Sequence, residues 1–253
     1  MACIEIDGVS VAVPIDGPTG APSDAASKVL LDGVGVTLTE PRIAVLGANG
    51  SGKSTLLRLF NGLVEPTSGS VRIDSLDTVR DGRAVRQRVG FVFTDPLSQL
   101  VMPTGREDVE LSLRRSHRNR AERAAAAQAV LDRFGLGALA DQSVYELSGG
   151  ERQLMALAAV LAVDPEVLIL DEPSTLLDLR NRELLRRTLA GLSQQVILST
   201  HDLELALDAD RVLVVEGGRI AYDGKPAAAV GFYRELCAAP AGIGGPRTTA
   251  EGS

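Results

Sequence analysis

The stretch Ile43-Ala44-Val45-Leu46-Gly47-Ala48-Asn49-Gly50-Ser51-Gly52-Lys53-Ser54 decides how this chain must fold. Its first four residues are a short continuous apolar run, the pattern of a strand buried on both faces. The next eight match the spacing GxxxxGK[ST], and Lys53 to Phe60 carry a helical pattern. A strand, a glycine-rich turn and a helix in that order predict a phosphate-binding loop. Glycines let successive backbone N–H groups point inward, and the helix N-terminus adds its positive partial charge. Gly47, Asn49, Gly50, Ser51, Gly52, Lys53, Ser54 and Thr55 are therefore candidate phosphate contacts. Lys53 brings a full charge to the β- and γ-phosphates, and the Ser54 hydroxyl is a hard oxygen suited to Mg²⁺.

Three further buried runs, Val167 to Leu170, Val196 to Leu198 and Val212 to Val215, alternate with helical stretches at Gly150 to Val163, Arg180 to Leu192 and Leu203 to Asp208. This alternation predicts an α/β fold, a P-loop NTPase core whose mostly parallel sheet is flanked by helices. Ahead of it, Ala2 to Ile6 with Val9 to Val13, and Val29 to Thr39, read as an N-terminal antiparallel β subdomain. The Gly-, Pro- and Ala-rich segment Asp16 to Ser27 between them reads as a loop. Asp95 to Leu147 is Ala- and Arg-rich, without a buried-strand pattern, and reads as an inserted α-helical subdomain. The expected organisation is one domain over 1–237. The core and β subdomain occupy 1–94 and 156–237, the helical subdomain 95–155, and 238–253 is a disordered tail.

A second cluster of chemistry follows the run Val167 to Leu170, which ends in Asp171-Glu172. Ligands of open α/β sheets sit beyond the carboxyl ends of the strands. Asp171 is thus expected to face a metal. Glu172, on the opposite side of the strand end, is placed to polarise an attacking water. His201, after the run Val196 to Leu198, ends a strand of the same sheet and is expected near the γ-phosphate. Ser148 followed by Glu151 fits a capping box at a helix start. That box does not explain Gly149-Gly150, which weaken a helix while exposing N–H groups that suit an anion. Asp178 by itself reads as a helix N-terminal acid.

Composition narrows the partners. The 253 residues are 45% hydrophobic, without Trp, and carry a net charge of −7. An aliphatic core is expected, and a broad basic face that clamps nucleic acid is not. The arginine-rich run Arg114 to Arg123 reads as a solvated helix face. Cys3 and Cys237 do not make a disulfide framework, and a reducing compartment is expected. No signal-peptide pattern is present, and no apolar run approaches the roughly 20 residues that span a bilayer. At a membrane, another chain would do the spanning.

These pieces in this order resemble the nucleotide-binding domains of ABC transporters, over about Ile4 to Tyr233. Leu147-Ser148-Gly149-Gly150-Glu151-Arg152-Gln153 is similar to the family's signature sequence. Asp171 to Asp178, DEPSTLLD, is similar to its Walker B motif and D-loop, and Ser199-Thr200-His201-Asp202 to its switch histidine. The resemblance implies an ATPase using ATP and Mg²⁺. It implies two such domains meeting head to tail, as a homodimer or with a paralogue. Lys53, Ser54 and Asp171 of one chain would hold each ATP, and Ser148 and Gly150 of the other would contact its γ-phosphate. Glu172 and His201 would act on the water and the transition state.

Two departures stand out. Thr94 occupies the position of the family's metal-sensing glutamine, and Val11 and Val13 stand where an aromatic would stack on adenine. The pattern around Asp95-Pro96, Gln99, Pro103-Thr104 and Glu107-Asp108-Val109 is similar to the energy-coupling-factor type, which serves vitamin and metal uptake. Biotin transport is favoured, with cobalt or nickel import, another ABC transporter, and soluble ABC-type ATPases not involved in transport as alternatives. The implied partners are a second ATPase subunit, a transmembrane coupling subunit and a small substrate-binding membrane subunit. No nucleic acid is implied. The implied location is peripheral, on the cytoplasmic face of the cell membrane.

Overall fold

A computed structural model describes residues 1–16, 22–175 and 177–238. Short apolar segments form its central six-stranded sheet. The strands are β3 (Arg42–Leu46), β6 (Val89–Val92), β7 (Val167–Asp171), β8 (Gln195–Ser199), β9 (Arg211–Glu216) and β10 (Arg219–Gly224), in the order β10-β9-β3-β8-β7-β6. All neighbours are parallel except β9 and β10, which form a hairpin. Every residue of β7 and β8 is buried, which is why these strands read as unbroken runs rather than alternations. Helices α1 (Lys53–Leu59), α5 (Gly149–Leu161), α6 (Leu179–Ala190), α7 (Leu203–Leu207) and α8 (Pro226–Ala238) accompany the sheet. The apolar residues divide into two cores, one containing Leu46, Leu168, Leu170 and Met155, the other Ile43, Val45, Leu57 and Ile169. Successive residues of β3 and β7 thus enter opposite cores, and each fully buried aliphatic side chain contributes about 1.5–3 kcal/mol.

The N-terminal sheet is antiparallel, with β1 (Ile4–Asp16), β2 (Pro22–Leu38), β4 (Ser68–Ile73) and β5 (Leu76–Asp77) in the order β2-β1-β4-β5. It departs from the sequence reading in two ways. Ile4 to Ile6 and Val9 to Val13 belong to one strand, which leaves out Ala2 and is interrupted by register shifts between Ile6 and Val9 and again after Val9 and Val11. The loop expected over Asp16 to Ser27 is also shorter. Asp16 ends β1, Pro22 to Ser27 lie in β2, and Pro14 pairs with Ser27. Cross-strand pairing extends a hairpin through residues whose composition favours turns. The prolines are accommodated because Pro22 is the first residue of an edge strand and Pro14 lies beyond the last pairing of β1 with β4, Ser10 with Ser68. Residues 17–21 of that loop lie outside the described residues.

Between β6 and α5 come a 3-10 turn (Pro96–Ser98), α3 (Gly105–Leu113), α4 (Arg120–Arg133) and a second 3-10 turn (Gly137–Leu139). Thr104 caps α3 in a capping box with Glu107, and Asn119 caps α4. Helix α5 runs unbroken past residue 155, where the helical insert was drawn to end, and delivers Met155, Leu157 and Ala158 to the main core. A short α2 (Gly82–Arg88) precedes β6. Ala238, the first residue of the expected tail, ends α8, and residues 239–253 lie outside the described residues. Among the described residues no helix is long and apolar enough to cross a membrane.

Candidate nucleotide site

The site follows from strand order. β3, β8 and β7 are consecutive and parallel, so their carboxyl ends share one edge of the sheet. From that edge emerge the glycine-rich turn into α1, His201 beyond β8, and Asp171-Glu172 at β7. Gly52 sits at φ 113°, and a Cβ there would come 2.8 Å from the Leu30 carbonyl oxygen of β2. Only glycine satisfies both conditions. The turn is pinned from outside, since Gly218 donates its N–H to the Ser51 carbonyl at 2.9 Å.

Lys53 is buried, with Nζ donating to the carbonyls of Gly47 at 2.8 Å and Ala48 at 3.2 Å. Its ammonium also lies 3.2 Å from Glu172 Oε1. That oxygen accepts no aligned hydrogen bond, so the contact is Coulombic proximity rather than a directed bond. Ser54 Oγ donates to Asp171 Oδ1 at 2.9 Å. Asp171 is 1% exposed, and the Arg58 guanidinium stands 3.8 Å from its other oxygen. Glu172 Oε2 meets His201 Nδ1 at 2.7 Å, with Thr175 Oγ1 donating to it at 3.4 Å. Glu172 leaves β7 at φ 51°, a left-handed conformation costly for a side chain with a Cβ.

Ser199 is the residue that sequence reasoning passed over. It ends β8 in register with Asp171 and is fully buried. Its hydroxyl donates to Asp171 Oδ1 at 2.7 Å and accepts the Glu172 N–H at 2.9 Å. One side chain thus ties down the carboxylate of one acid and the backbone of the other. A polar residue closing an otherwise apolar strand was the available signal. Tyr233 of α8 packs, partly buried, against the main core. Its hydroxyl is pushed up to about 12, first by burial, then by Cys237, with the carboxylates of Glu172 and Glu216 adding.

The remaining candidates stand apart. Ser148 caps α5, accepting from the Glu151 N–H at 3.3 Å, while Glu151 accepts from the Ser148 N–H at 2.8 Å. Gly150 is packed so closely on Asn181 that a Cβ would overlap its side-chain amide, a structural reason for that glycine. Asp178 caps α6 through the Asn181 N–H at 2.8 Å. Gly150 and Asp178 thus neighbour each other through Asn181. Among the described residues no hydrogen bond or ion pair joins Ser148, Gly149, Gly150 or Asp178 to the Lys53–Asp171–Glu172–His201 group. Asn49 and Gly50 are exposed at the tip of the turn, while Ser51 is buried. Thr55 lies half-buried in α1 and Thr94 half-buried beyond β6. Gln99, the glutamine nearest Thr94 in sequence, is occupied, accepting from the Phe93 N–H and donating to the Ala156 carbonyl, each at 3.2 Å. Val11 is 3% exposed and offers adenine no surface, because the register shift after it turns the strand; Val13, at 39%, remains accessible.

The donor set suits Mg²⁺ with a nucleotide. Among the described residues no group of three or more His, Cys, Asp and Glu could hold a metal. Mg²⁺ with ATP does not need one, since it takes one or two protein oxygens and completes its shell with phosphates and water. Ser54 Oγ and Asp171 Oδ1 provide such a pair. Ser51 Oγ, buried in the turn without a partner, is a further polar group aimed into the loop. A cavity of about 530 Å³ is lined elsewhere by Arg42, Arg186, Leu189, Val196, Leu205 and Asp208, and no site residue borders it. The glycine-rich turn emerges at the carboxyl edge of the sheet, away from that cavity.

Fold and site together define a P-loop nucleotide hydrolase. The family model described as ABC transporter matches residues 31–175. A biotin transport ATP-binding protein, BioM, of Rhizobium etli is 46% identical over 84% of this chain and 94% of its own length. An energy-coupling factor transporter ATP-binding protein, EcfA1, of Halalkalibacterium halodurans is 38% identical over 81% and 74%. Among solved structures, the dimeric ATP-binding cassette MJ0796 in a post-hydrolysis state bound to ADP and Pi superposes with a TM-score of 0.77 at 26% identity, covering 88% of this chain and 98% of that one. The chain belongs to the ABC transporter family, as an ATP-binding subunit. It hydrolyses ATP with Mg²⁺ as the metal.

Proposed function

We propose that this chain works as one of a pair of ATPase subunits of the energy-coupling-factor type. The pair energises uptake of a vitamin, biotin before cobalt or nickel, from the cytoplasmic face of the membrane. The observation that carries the paired reading is the division of the site. Lys53, Ser54, Asp171, Glu172 and His201 converge, while Ser148, Gly149, Gly150 and Asp178 form a second group that has no bond to them within one chain. A second chain turned head to tail brings its own Ser148 and Gly150 to the first chain's phosphate loop. A homodimer and a pairing with a paralogue both satisfy this.

The geometry supports the following roles. Backbone N–H groups of Gly50 to Ser54 and the Lys53 ammonium bind the phosphates. Lys53 exchanges its contacts with the Gly47 and Ala48 carbonyls and Glu172 for phosphate oxygens. Ser54 and Asp171 would hold Mg²⁺, and Thr94 would sense it. Mg²⁺, when bound, neutralises charge on the phosphate oxygens. Glu172 accepts the proton of the attacking water, and His201, bonded to Glu172, orients that carboxylate. Hydrolysis and release of products reopen the pair.

Coupling to membrane subunits is supported by a groove of about 310 Å³ beside the Thr94 segment. Phe91, Gln99, Val101, Leu111, Val160 and Val163 line it, and Val101 is 70% exposed there. The transmembrane coupling subunit would dock there, with a small substrate-binding membrane subunit beside it. The BioM relative's printed name favours biotin. The test is affinity capture of the tagged chain from gently solubilised native membranes. A coupling subunit and a small hydrophobic protein retaining biotin are expected. Two conventional permease subunits, or a metal-binding partner, would replace the transporter type or the substrate.

A further inference from the structure

The arginine-rich segments remain unexplained by nucleotide chemistry. Residues 82–88, GRAVRQR, and residues 114–120, RRSHRNR, hold seven arginines and no carboxylate, in a chain whose net charge is −7. Arg88 is neutralised, bonded to Asp74 Oδ2 at 2.6 Å and to Glu166 Oε1 at 2.8 Å. The other six, Arg83, Arg86, Arg114, Arg115, Arg118 and Arg120, are exposed, and among the described residues none forms an ion pair. The acids nearby are engaged or few. Glu110 faces Arg123 at 3.8 Å, and Asp108 is buried, accepting the N–H groups of Val101 and Met102. Asp81 accepts the Asp77 N–H, Glu107 caps α3, and Glu122 stands in the first turn of α4.

The two segments form one surface. In the amide orientation that two guanidinium N–H groups require, Gln87 Oε1 accepts from Arg115 Nη1 and Nη2 at 3.3 and 3.2 Å. This joins α2 to the end of α3. Arg83 and Gln87 are one turn apart on α2, with Arg86 between them in sequence. Arg123 holds the far end of the patch by donating to the His117 carbonyl at 3.1 Å. Arg86 and Gln87 also line the groove of Val101, Leu111 and Val163.

We propose that this arginine surface binds the anionic headgroups of the membrane, beside the groove that takes the transmembrane partner. The proposal rests on the peripheral-membrane reading above. Unpaired guanidiniums on an otherwise acidic chain are attracted to a negative surface, and the same surface repels the rest of the molecule, so the field orients the chain with the groove toward the bilayer. Arginine suits the partner because its planar fork bonds two phosphate oxygens at once. An RNA would also match the charge, but neither segment contains a Phe, Tyr or Trp on which bases could stack, and His117 is half-buried with Nδ1 3.0 Å from Ser116 Oγ.

The test uses the full chain and vesicles without any membrane subunit, so it stands or falls separately from the capture experiment. Sedimentation with phosphatidylcholine vesicles is compared with vesicles carrying a third phosphatidylglycerol. Binding is expected only with phosphatidylglycerol at 0.1 M salt and is expected to be lost by 0.5 M. The triple variant Arg114→Glu, Arg115→Glu and Arg118→Glu should lower vesicle affinity by at least about a hundredfold, roughly fivefold for each arginine removed. Its basal ATPase activity should be unchanged, which also reports that it folds. Arg133→Glu with Arg234→Glu, a control outside the patch, should bind nearly as the parent does. No binding of the parent chain to phosphatidylglycerol, equal loss in the control, or displacement from vesicles by a short RNA at sub-stoichiometric concentration would each overturn the proposal.

Discussion

Glu172 and Ser199 show what a single residue contributes here. Glu172 holds its left-handed backbone because its N–H is fixed by both the hydroxyl and the carbonyl of Ser199. Replacing Glu172 by Gln removes the carboxylate while keeping its shape. ATP hydrolysis should fall on the order of a hundredfold or more, as for loss of a general base, while ATP binding persists and an ATP-dependent dimer accumulates on size exclusion. Normal turnover in this variant would remove the role from Glu172. Ser199→Ala leaves Asp171 Oδ1 with Ser54 alone and frees the Glu172 N–H. A drop in kcat on the order of tenfold is expected, with a higher Mg²⁺ requirement and little change in ATP affinity. Ser199→Thr, which keeps the hydroxyl, should restore most of both. An unchanged Mg²⁺ dependence in the alanine variant would reduce Ser199 to a packing residue. At Thr94, introduction of glutamine should keep or raise activity coupled to the membrane partner if the threonine is a shortened metal ligand; a sharp loss would mean that it is fitted to that partner.

At the scale of elements, the short strands were legible because burial on both faces leaves no alternation to misread. β3, β7, β8 and β9 each appear in the sequence as an apolar run and in the structure within a residue or two of it. The β1–β2 hairpin was less so. Its outer half is mostly Asp, Pro, Ser and Ala, and only pairing with the opposite strand makes it sheet. Ion pairs across elements are likewise invisible in sequence. Arg88, at the end of α2, ties the β4–β5 turn through Asp74 to Glu166 just before β7. The Glu166 carboxyl is lowered chiefly by the Arg88 bond, and that of Asp74 first by the Cys3 N–H and then by Arg88. Lowered carboxyl values mean stability that is present at neutral pH and lost as pH falls through the folded-state values. Arg88→Ala should cost about 1 kcal/mol at pH 7, since the knot is partly exposed. The difference from the parent in urea denaturation should shrink toward zero at acid pH. A constant difference across pH would assign the effect to lost packing.

At the scale of the molecule, the proposed head-to-tail pairing, if it joins two copies of this chain, makes each site draw on both chains. If each site takes Lys53 from one chain and Ser148 from another, Lys53→Ala and Ser148→Ala should each abolish most activity alone. Mixing and re-equilibrating the two variants should restore ATP hydrolysis, because a mixed dimer holds one intact site. Mixtures no more active than their components would mean that both groups act within one chain.

The sequence alone determined the P-loop and its strand and helix, the carboxylates at the end of β7, the signature segment before α5 and the family resemblance, since each depends on residues adjacent in the chain. Tertiary structure decided which residues meet. Asp171, Ser54 and Ser199 are far apart in sequence and come within hydrogen-bonding distance only because β3, β8 and β7 pair side by side in parallel. It also decided that Val11 is buried while Val13 is exposed, through a register shift that no periodicity announces. The arginines of α2 and of the α3–α4 turn became one surface for the same reason, through a contact between residues that the chain keeps apart. Local spacing encodes the chemistry available to a segment, and the order of strands in the sheet assembles that chemistry into a site.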